Sequence, residues 1–245
     1  MTPEEMVTRL LYRDGLLLVI DKSAGIAVHL GPKGGERLED HFDALRFGLP
    51  RVPALAHRLD RDTSGCLVLG RHRKALAALG KMFKNGKIGK TYWAVVERGP
   101  SEDEGRIDIP LGKRDETRGW WMRPDPEGQP AVTNWKVMGR GDGLTWLAME
   151  PVTGRTHQLR VHAAESGWPI VGDNIYGSAS QTEGPILHLH SREIVVPISK
   201  NKPPVATTAP VPPHMHERLM ACAWKGEDLR PSFETRVARV PQDED

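Results

Sequence analysis

The chain has 245 residues, 38% of them hydrophobic and 27% charged, enough for one domain, or one two-lobed domain, with a sizeable core. No apolar run approaches the roughly 18 residues of a membrane span, and Met1-Thr2-Pro3-Glu4-Glu5 carries acids where a secretory signal would be basic and then apolar. Two cysteines, Cys66 and Cys222, make neither a disulfide framework nor a four-ligand zinc pattern, so the expectation is a cytoplasmic protein with reduced thiols; the net charge of +2 does not by itself announce a nucleic-acid partner.

Thr2-Pro3-Glu4-Glu5 predicts a short N-terminal helix, because Thr2 can cap it, Pro3 fits its first turn and Glu5 stands at the capping-box position. Asp14-Gly15 breaks the chain before Leu16-Leu17-Leu18-Val19-Ile20, a buried strand by its length and flanking turns. Ser23-Ala24-Gly25 then turns back into Ile26-Ala27-Val28-His29, which predicts a hairpin. Leu38, Phe42 and Leu45 share a helical face that Gly48 and Pro50 stop. The next stretch is the densest in chemistry. His57 to Gly65 packs two arginines, two aspartates, two hydroxyls and a glycine into nine residues, then runs into Cys66-Leu67-Val68-Leu69, a buried strand.

Leu76, Leu79 and Phe83 mark the apolar side of a second helix that ends at Asn85-Gly86. From Arg71 to Lys90 there are seven Lys or Arg residues and no Asp or Glu; such local basicity suits a phosphate backbone, and equally a solvated helix face. Gly89-Lys90-Thr91 imitates the end of a phosphate-binding P-loop, but Lys84 stands where its first glycine belongs, which excludes that reading. Thr91 to Val96 is rich in strand formers and places Tyr92 on a strand.

Pro110 to Pro130 reads as a long polar loop carrying Lys113, Arg114, Arg118, Trp120, Trp121 and Arg123. The two tryptophans either stack on bases or close over the core. Strands resume at Ala131 to Val137 and Leu144 to Met149. Ala163 to Gly167 predicts a short helix stopped by its glycine, Gly172 to Gly177 a turn-rich connection, and Ile186 to His190 a strand. Five prolines make residues 201–213 a stiff extended link. A last helix is expected over His214 to Trp224, with a loose tail after Asp228. His188 and His190 share a strand face, and His157 and His162 are close in sequence, but no carboxylate or cysteine completes a metal spacing, so no metal is expected.

His57-Arg58-Leu59-Asp60-x-x-Thr63-Ser64-Gly65 resembles the catalytic signature of the RluA-type pseudouridine synthases. Four further blocks resemble that family in order: Val19 to His29, with Ser23 where proline is usual, Lys90 to Val96, Gly154 to His162, and Ile186 to His190. The resemblance spans roughly residues 16–215 and implies an α+β fold, a mixed, mainly antiparallel central sheet with flanking helices and a central cleft for RNA. It divides the chain into an N-terminal helical extension (1–15), a catalytic domain (16–215) and a C-terminal helix with its tail (216–245). The first block begins near residue 19, so the separate N-terminal RNA-binding domain of larger relatives is not expected, and a stem-loop of transfer or large-subunit ribosomal RNA is the expected partner of a monomer.

Pseudouridine formation breaks the bond between base and sugar, turns the uracil over and rejoins it through carbon. It needs no redox cofactor or group donor, so no cofactor is expected. The resemblance makes Asp60 the catalytic group, nucleophile or base, and Arg160 its ionic partner. Tyr92 would stack on uracil or help remove the ring-carbon proton. Arg58 would touch phosphate or hold the flipped nucleotide's place in the RNA, while His57, Thr63, Arg155, His157 and Leu187 would contact substrate. A catalytically silent RNA-binding or ribosome-assembly factor with the same fold is the competing reading, and a metal-dependent hydrolase a third.

Overall fold

A computed structural model describes residues 1–29, 37–114, 121–180, 183–198 and 203–226. In chain order the elements begin with helix α1 (Pro3–Thr8), strands β1 (Leu10–Arg13) and β2 (Leu17–Lys22), a 3₁₀ helix (Leu38–Leu45), strands β3 (Ala54–Leu55) and β4 (Ser64–Gly70), and helix α2 (Arg73–Lys84). Strands β5 (Gly89–Glu97), β6 (Glu104–Asp108), β7 (Leu111–Lys113), β8 (Met122–Pro124), β9 (Val132–Gly141) and β10 (Leu144–Pro151) follow. Helix α3 (Gln158–Glu165), strands β11 (Leu189–Val196) and β12 (Val205–Thr208), and helix α4 (Pro213–Ala221) complete the set. The class is α+β, as the resemblance implied. Among the described residues no helix is long and apolar enough to cross a membrane.

One sheet runs through the molecule in the order β1-β2-β4-β11-β5-β10-β9-β6, with β3 and β12 attached to β4 and β11. Its named pairs are antiparallel except at the centre, where β4 and β11 run parallel, with Ser64 opposite His190 and Gly65 opposite Ser191. Period-two burial explains the apolar runs. Leu18 and Ile20 of β2, and Leu67 and Leu69 of β4, face one core together with Phe42, Leu45, Tyr92 and Leu159. Leu17, Val19, Cys66 and Val68 face another, covered by Leu79 of α2. Strands covered on both faces need side chains of one kind throughout, and β4 is buried at every position.

Gly65 is fixed by this parallel junction. Its φ is +104°, and a Cβ there would stand 2.3 Å from the Ser191 carbonyl oxygen. Only glycine permits that approach. Beside it the Ser64 hydroxyl lies 2.9 Å from Nδ1 of buried His190. The chain emerging from the signature loop is thereby locked to the late strand.

Several expectations change. Ile26 to His29 forms no hairpin with β2, because β1 and β4 already occupy its two edges; the turn instead bonds the signature loop, Gly25 N–H donating to the Arg61 carbonyl at 3.0 Å and Arg61 Nε to that of Gly25 at 2.9 Å. Helix α3 begins at Gln158, five residues before the expected start, so half of the arginine block is helical. The late strand starts at Leu189 instead of Ile186 and runs to Val196. Within the proline-rich link, Val205–Thr208 is a strand paired with β11. The expected loop at 110–130 contains the small β7–β8 sheet, Trp121 lies under Arg114 at 5.3 Å, and Trp120 and the tail after Asp228 lie outside the described residues.

The ends belong to the same body. Met6 of α1 is fully buried in the main core, and β1 ends the sheet on the side opposite β6. At the other end Met215 and Leu219 of α4 pack with Val95, Trp146 and Trp224.

Candidate active site

Residues 56–63 link β3 to β4 and form the first wall of a cleft. The Val68 N–H donates to His57 Nε2 at 3.0 Å, and the imidazole stacks on Phe83 with centroids 4.4 Å apart. Burial, helped by the Lys90 cation, pushes His57 down to about 3, so it is a neutral anchor. Leu59 is 6% exposed and pins the loop to the core. The Thr63 N–H closes the turn onto the Asp60 carbonyl at 3.2 Å. Thr63 itself is nearly buried, and Arg58 is exposed at the rim. The Asp60 side chain is one-fifth exposed.

Under this loop lies Lys22, one of the largest fully buried side chains among the described residues. Its Nζ donates to the Ser23 and Arg61 carbonyls, each at 2.8 Å. Burial draws it down to about 7, against the pull of Asp62, Asp60 and Asp21. Lysine is hardly ever buried without partners, so this one identifies the loop's backbone as something worth fixing in place.

The second wall is the arginine block. Gln158 anchors it: Oε1 accepts from the Thr153 hydroxyl (2.7 Å) and the Arg155 N–H (3.0 Å), while Nε2 donates to the Val132 carbonyl (2.9 Å) and Thr133 Oγ1 (3.0 Å). Arg155 Nε donates to the Pro130 carbonyl at 3.0 Å. His157 caps α3 in the left-handed region, φ +53°; its Nδ1 is 2.8 Å from the Tyr176 hydroxyl and its Nε2 3.8 Å from Asp60 Oδ2.

Arg160 departs from expectation. Its guanidinium is forked onto Asp173, Nε to Oδ2 at 2.8 Å and a terminal nitrogen to Oδ1 at 2.7 Å, with the side chains 3% and 1% exposed. Asp60 is close enough to add to the attraction on Arg160, but the fork closes on Asp173. Burial works against the charge of Asp173, yet Arg160 and the Tyr176 and Ile175 amides hold its carboxyl below the usual range. Both amides donate to Oδ1, at 3.0 and 2.9 Å. Asp173 and Tyr176 were missed as site residues, because Gly172 to Gly177 read only as a connection. An aspartate bracketed by glycines, able to accept amides two and three residues on, was the available signal.

The third wall is Tyr92 on β5, 9% exposed. Burial pushes its phenol above the ordinary range despite a hydrogen bond with Ser191, and the Asp60 carboxylate adds to the rise. The hydroxyl therefore keeps its proton near neutral pH. Leu187 is not in the cleft. It is 3% exposed in the core, and Leu189, two residues on, lines the site instead.

These walls enclose about 720 Å³, within the roughly 300–1,000 Å³ of small-molecule sites. Arg58, Lys84, Lys90, Arg155 and Arg160 line it, and Asp60 is the one acid among the described lining residues. A single carboxylate thus sits in a cationic cleft with a buried aromatic ring, an arrangement for anionic, planar substrates. The histidines with metal-like spacing are engaged elsewhere: His188 Nδ1 lies 2.7 Å from the Ile186 carbonyl, and His162 lies 2.9 Å from Thr133 Oγ1 and 3.1 Å from the Ile109 carbonyl.

The family described as RNA pseudouridylate synthase matches residues 16–165. An uncharacterized RNA pseudouridine synthase of Zymomonas mobilis is 43% identical over 211 residues, covering 84% of this chain and 95% of the relative. Ribosomal large subunit pseudouridine synthase D of Xanthomonas campestris is 34% identical over 239 residues, covering 89% and 70%. Among solved structures, human RNA pseudouridylate synthase domain containing 4 superposes with a TM-score of 0.74 at 25% identity, covering 89% of this chain and 95% of that one.

Proposed function

Because the chain belongs to the RluA-type RNA pseudouridine synthases, we propose that it isomerises specific uridines in a stem-loop of large-subunit ribosomal RNA or transfer RNA, with Asp60 as the reacting carboxylate. The observation that carries this reading is the lone acid, partly exposed, in a cleft otherwise lined by cations. The cleft volume suits one nucleotide and not a duplex, so the target base must leave its stack to enter. Arg58 stands at the rim, where it can hold the vacated place or a phosphate. Lys84, Lys90 and Arg155 receive the backbone. The name of the Xanthomonas relative favours ribosomal RNA as the first substrate to try.

The three groups have separable tasks. Asp60 acts at the sugar-to-base bond, as nucleophile or base. Tyr92, a phenol in the free enzyme, supplies its ring face to the uracil while the base turns. Arg160 acts through a neutralised pair with Asp173, which fixes the second wall and leaves Asp60 its own charge. The expected form is a monomer acting on cytoplasmic RNA.

The test is pseudouridine mapping in ribosomal and transfer RNA from cells with and without the gene, complemented by wild type or Asp60→Asn. Sites should vanish with the gene, return with wild type and stay absent with Asp60→Asn. Purified Asp60→Asn should bind the same RNA within a few-fold while losing about 10³-fold or more in turnover. Modification by Asp60→Asn would remove Asp60 from its role. Intact modification in the deletion strain and no turnover by purified wild type would favour the silent binding factor.

A further inference from the structure

His157 makes a contact that the reaction as described does not use. It is 8% exposed and holds a left-handed backbone at φ +53°, a region uncommon for residues other than glycine. The Gln158 side chain braces the segment on one side. On the other, the Met122 N–H of β8 donates to the Tyr176 hydroxyl oxygen at 2.9 Å. With that oxygen already accepting, the hydroxyl proton is available to His157 Nδ1 at 2.8 Å. A neutral imidazole that accepts at Nδ1 carries its proton on Nε2. Nε2 is the atom 3.8 Å from Asp60 Oδ2.

We propose that His157 is a positioning residue for Asp60: the Tyr176 hydroxyl fixes the imidazole tautomer so that an N–H is aimed at Oδ2, leaving Oδ1 to react. This rests on the reading of Asp60 as the reacting group. Among the described residues, the charged and titratable groups around the imidazole include Asp60, Arg160, Asp173, Arg58 and Tyr176. Burial, with the two arginines, outweighs the two carboxylates and keeps the ring neutral, as a tautomer-dependent donor requires. At 3.8 Å the pair is beyond hydrogen-bond length, and an adjustment of under an ångström on substrate entry closes it. The same chain of contacts ties the carboxylate to the β7–β8 sheet through the Met122 amide.

Two substitutions separate this role from a purely structural one. Glutamine places an amide N–H near the position of Nε2, whereas asparagine reaches only the position of Nδ1 but suits the left-handed backbone best. Single-turnover kinetics at saturating target RNA should find His157→Gln within about 10-fold of wild type and His157→Asn slower by about 100-fold, with melting temperature little changed in either. A His157→Asn enzyme as fast as His157→Gln would overturn the proposal. Independently of activity, imidazole ¹⁵N spectra, with the His157 signal assigned by its loss in His157→Gln, should show the Nε2-protonated tautomer in wild type and a shift toward Nδ1–H in Tyr176→Phe. An Nδ1–H tautomer in wild type would also overturn it. Asp60→Asn run alongside distinguishes the failures: if it turns over, the reading beneath the proposal falls too, and if it is inactive while the His157 results are reversed, only the proposal falls.

Discussion

The two main walls of the cleft hold charge in opposite ways. The loop at 56–63 presents Asp60 with no arginine or lysine ion pair among the described residues: His57 is uncharged and stacked, Arg61 gives its Nε to the Gly25 carbonyl, and Lys22 below spends its hydrogen bonds on backbone carbonyls. The arginine block instead buries a cation and cancels it at once, Arg160 against Asp173. A reacting group has to keep some of its charge for the substrate, whereas a group that builds a wall is best satisfied locally. The difference teaches which acid in this site is chemical and which is architectural, although both are aspartates near the same arginine.

The largest expected effect that sharpens this contrast comes from Asp173→Ala. It strands the Arg160 guanidinium in a buried place and should cost about 3–5 kcal/mol of stability, measured by denaturant unfolding. Replacing both partners, Arg160→Met with Asp173→Asn, removes the stranded charge while keeping an acceptor for the Ile175 and Tyr176 amides, and should recover part of that stability while turnover stays low. Full turnover in a stable double variant would make the pair architectural only. Asp60→Ala, by contrast, should leave stability within about 1 kcal/mol.

Acid unfolding gives a second, smaller effect. His57, His188 and His190 are held at about 3, 4 and 3, in each case first by burial. Between their ordinary value near 6.5 and these folded values the unfolded chain binds protons that the folded chain does not, so stability must fall as pH is lowered through that window. Asp21, raised by burial to about 6 against Arg9 and Lys22, works the other way between about 4 and 6. His157, His162 and His214 are lowered by burial as well, so the histidines outweigh Asp21 and leave a net loss on the order of 1–3 kcal/mol per pH unit or more below 6.5. Melting temperatures flat from pH 6.5 to 4 would contradict the picture of buried neutral histidines, His57 of the first wall among them.

The smallest effect concerns the exposed cations. Lys84→Ala should flatten the salt dependence of RNA binding by roughly one unit of log–log slope without moving the melting temperature. Lys87→Ala tests whether the same helix end continues the track. An unchanged slope in both would return the basic face of α2 to ordinary solvated surface.

What was legible in the sequence follows from locality. The apolar runs of β2 and β4 announced strands because both of their faces are covered, and the Thr2 to Glu5 capping box formed as read, with Glu5 N–H donating to the Thr2 hydroxyl at 3.2 Å. The signature loop and the tyrosine strand line one cleft because each is carried on a strand whose register is fixed by burial. The partner of Arg160 was not legible. Asp173 lies 13 residues on, beyond helical spacing, in a turn whose glycines drew attention to backbone shape alone. The hairpin at Ile26 failed for a similar reason: whether a strand has a free edge is a property of the sheet, not of the segment. Leu187 was placed in the site by its block, yet it precedes β11, which begins at Leu189, and it is Leu189 that reaches the cleft.

The parallel contact between β4 and β11 has a consequence for how the enzyme comes into being. Ser64 and His190 are 126 residues apart, and closing a loop of that length costs about 4 kcal/mol in chain entropy before any contact repays it. Pairings so distant are made late and raise the contact order that slows folding. During synthesis the aspartate loop would leave the ribosome long before the strand that locks its end, so a nascent chain released short of β11 would carry the whole catalytic signature and still lack the site.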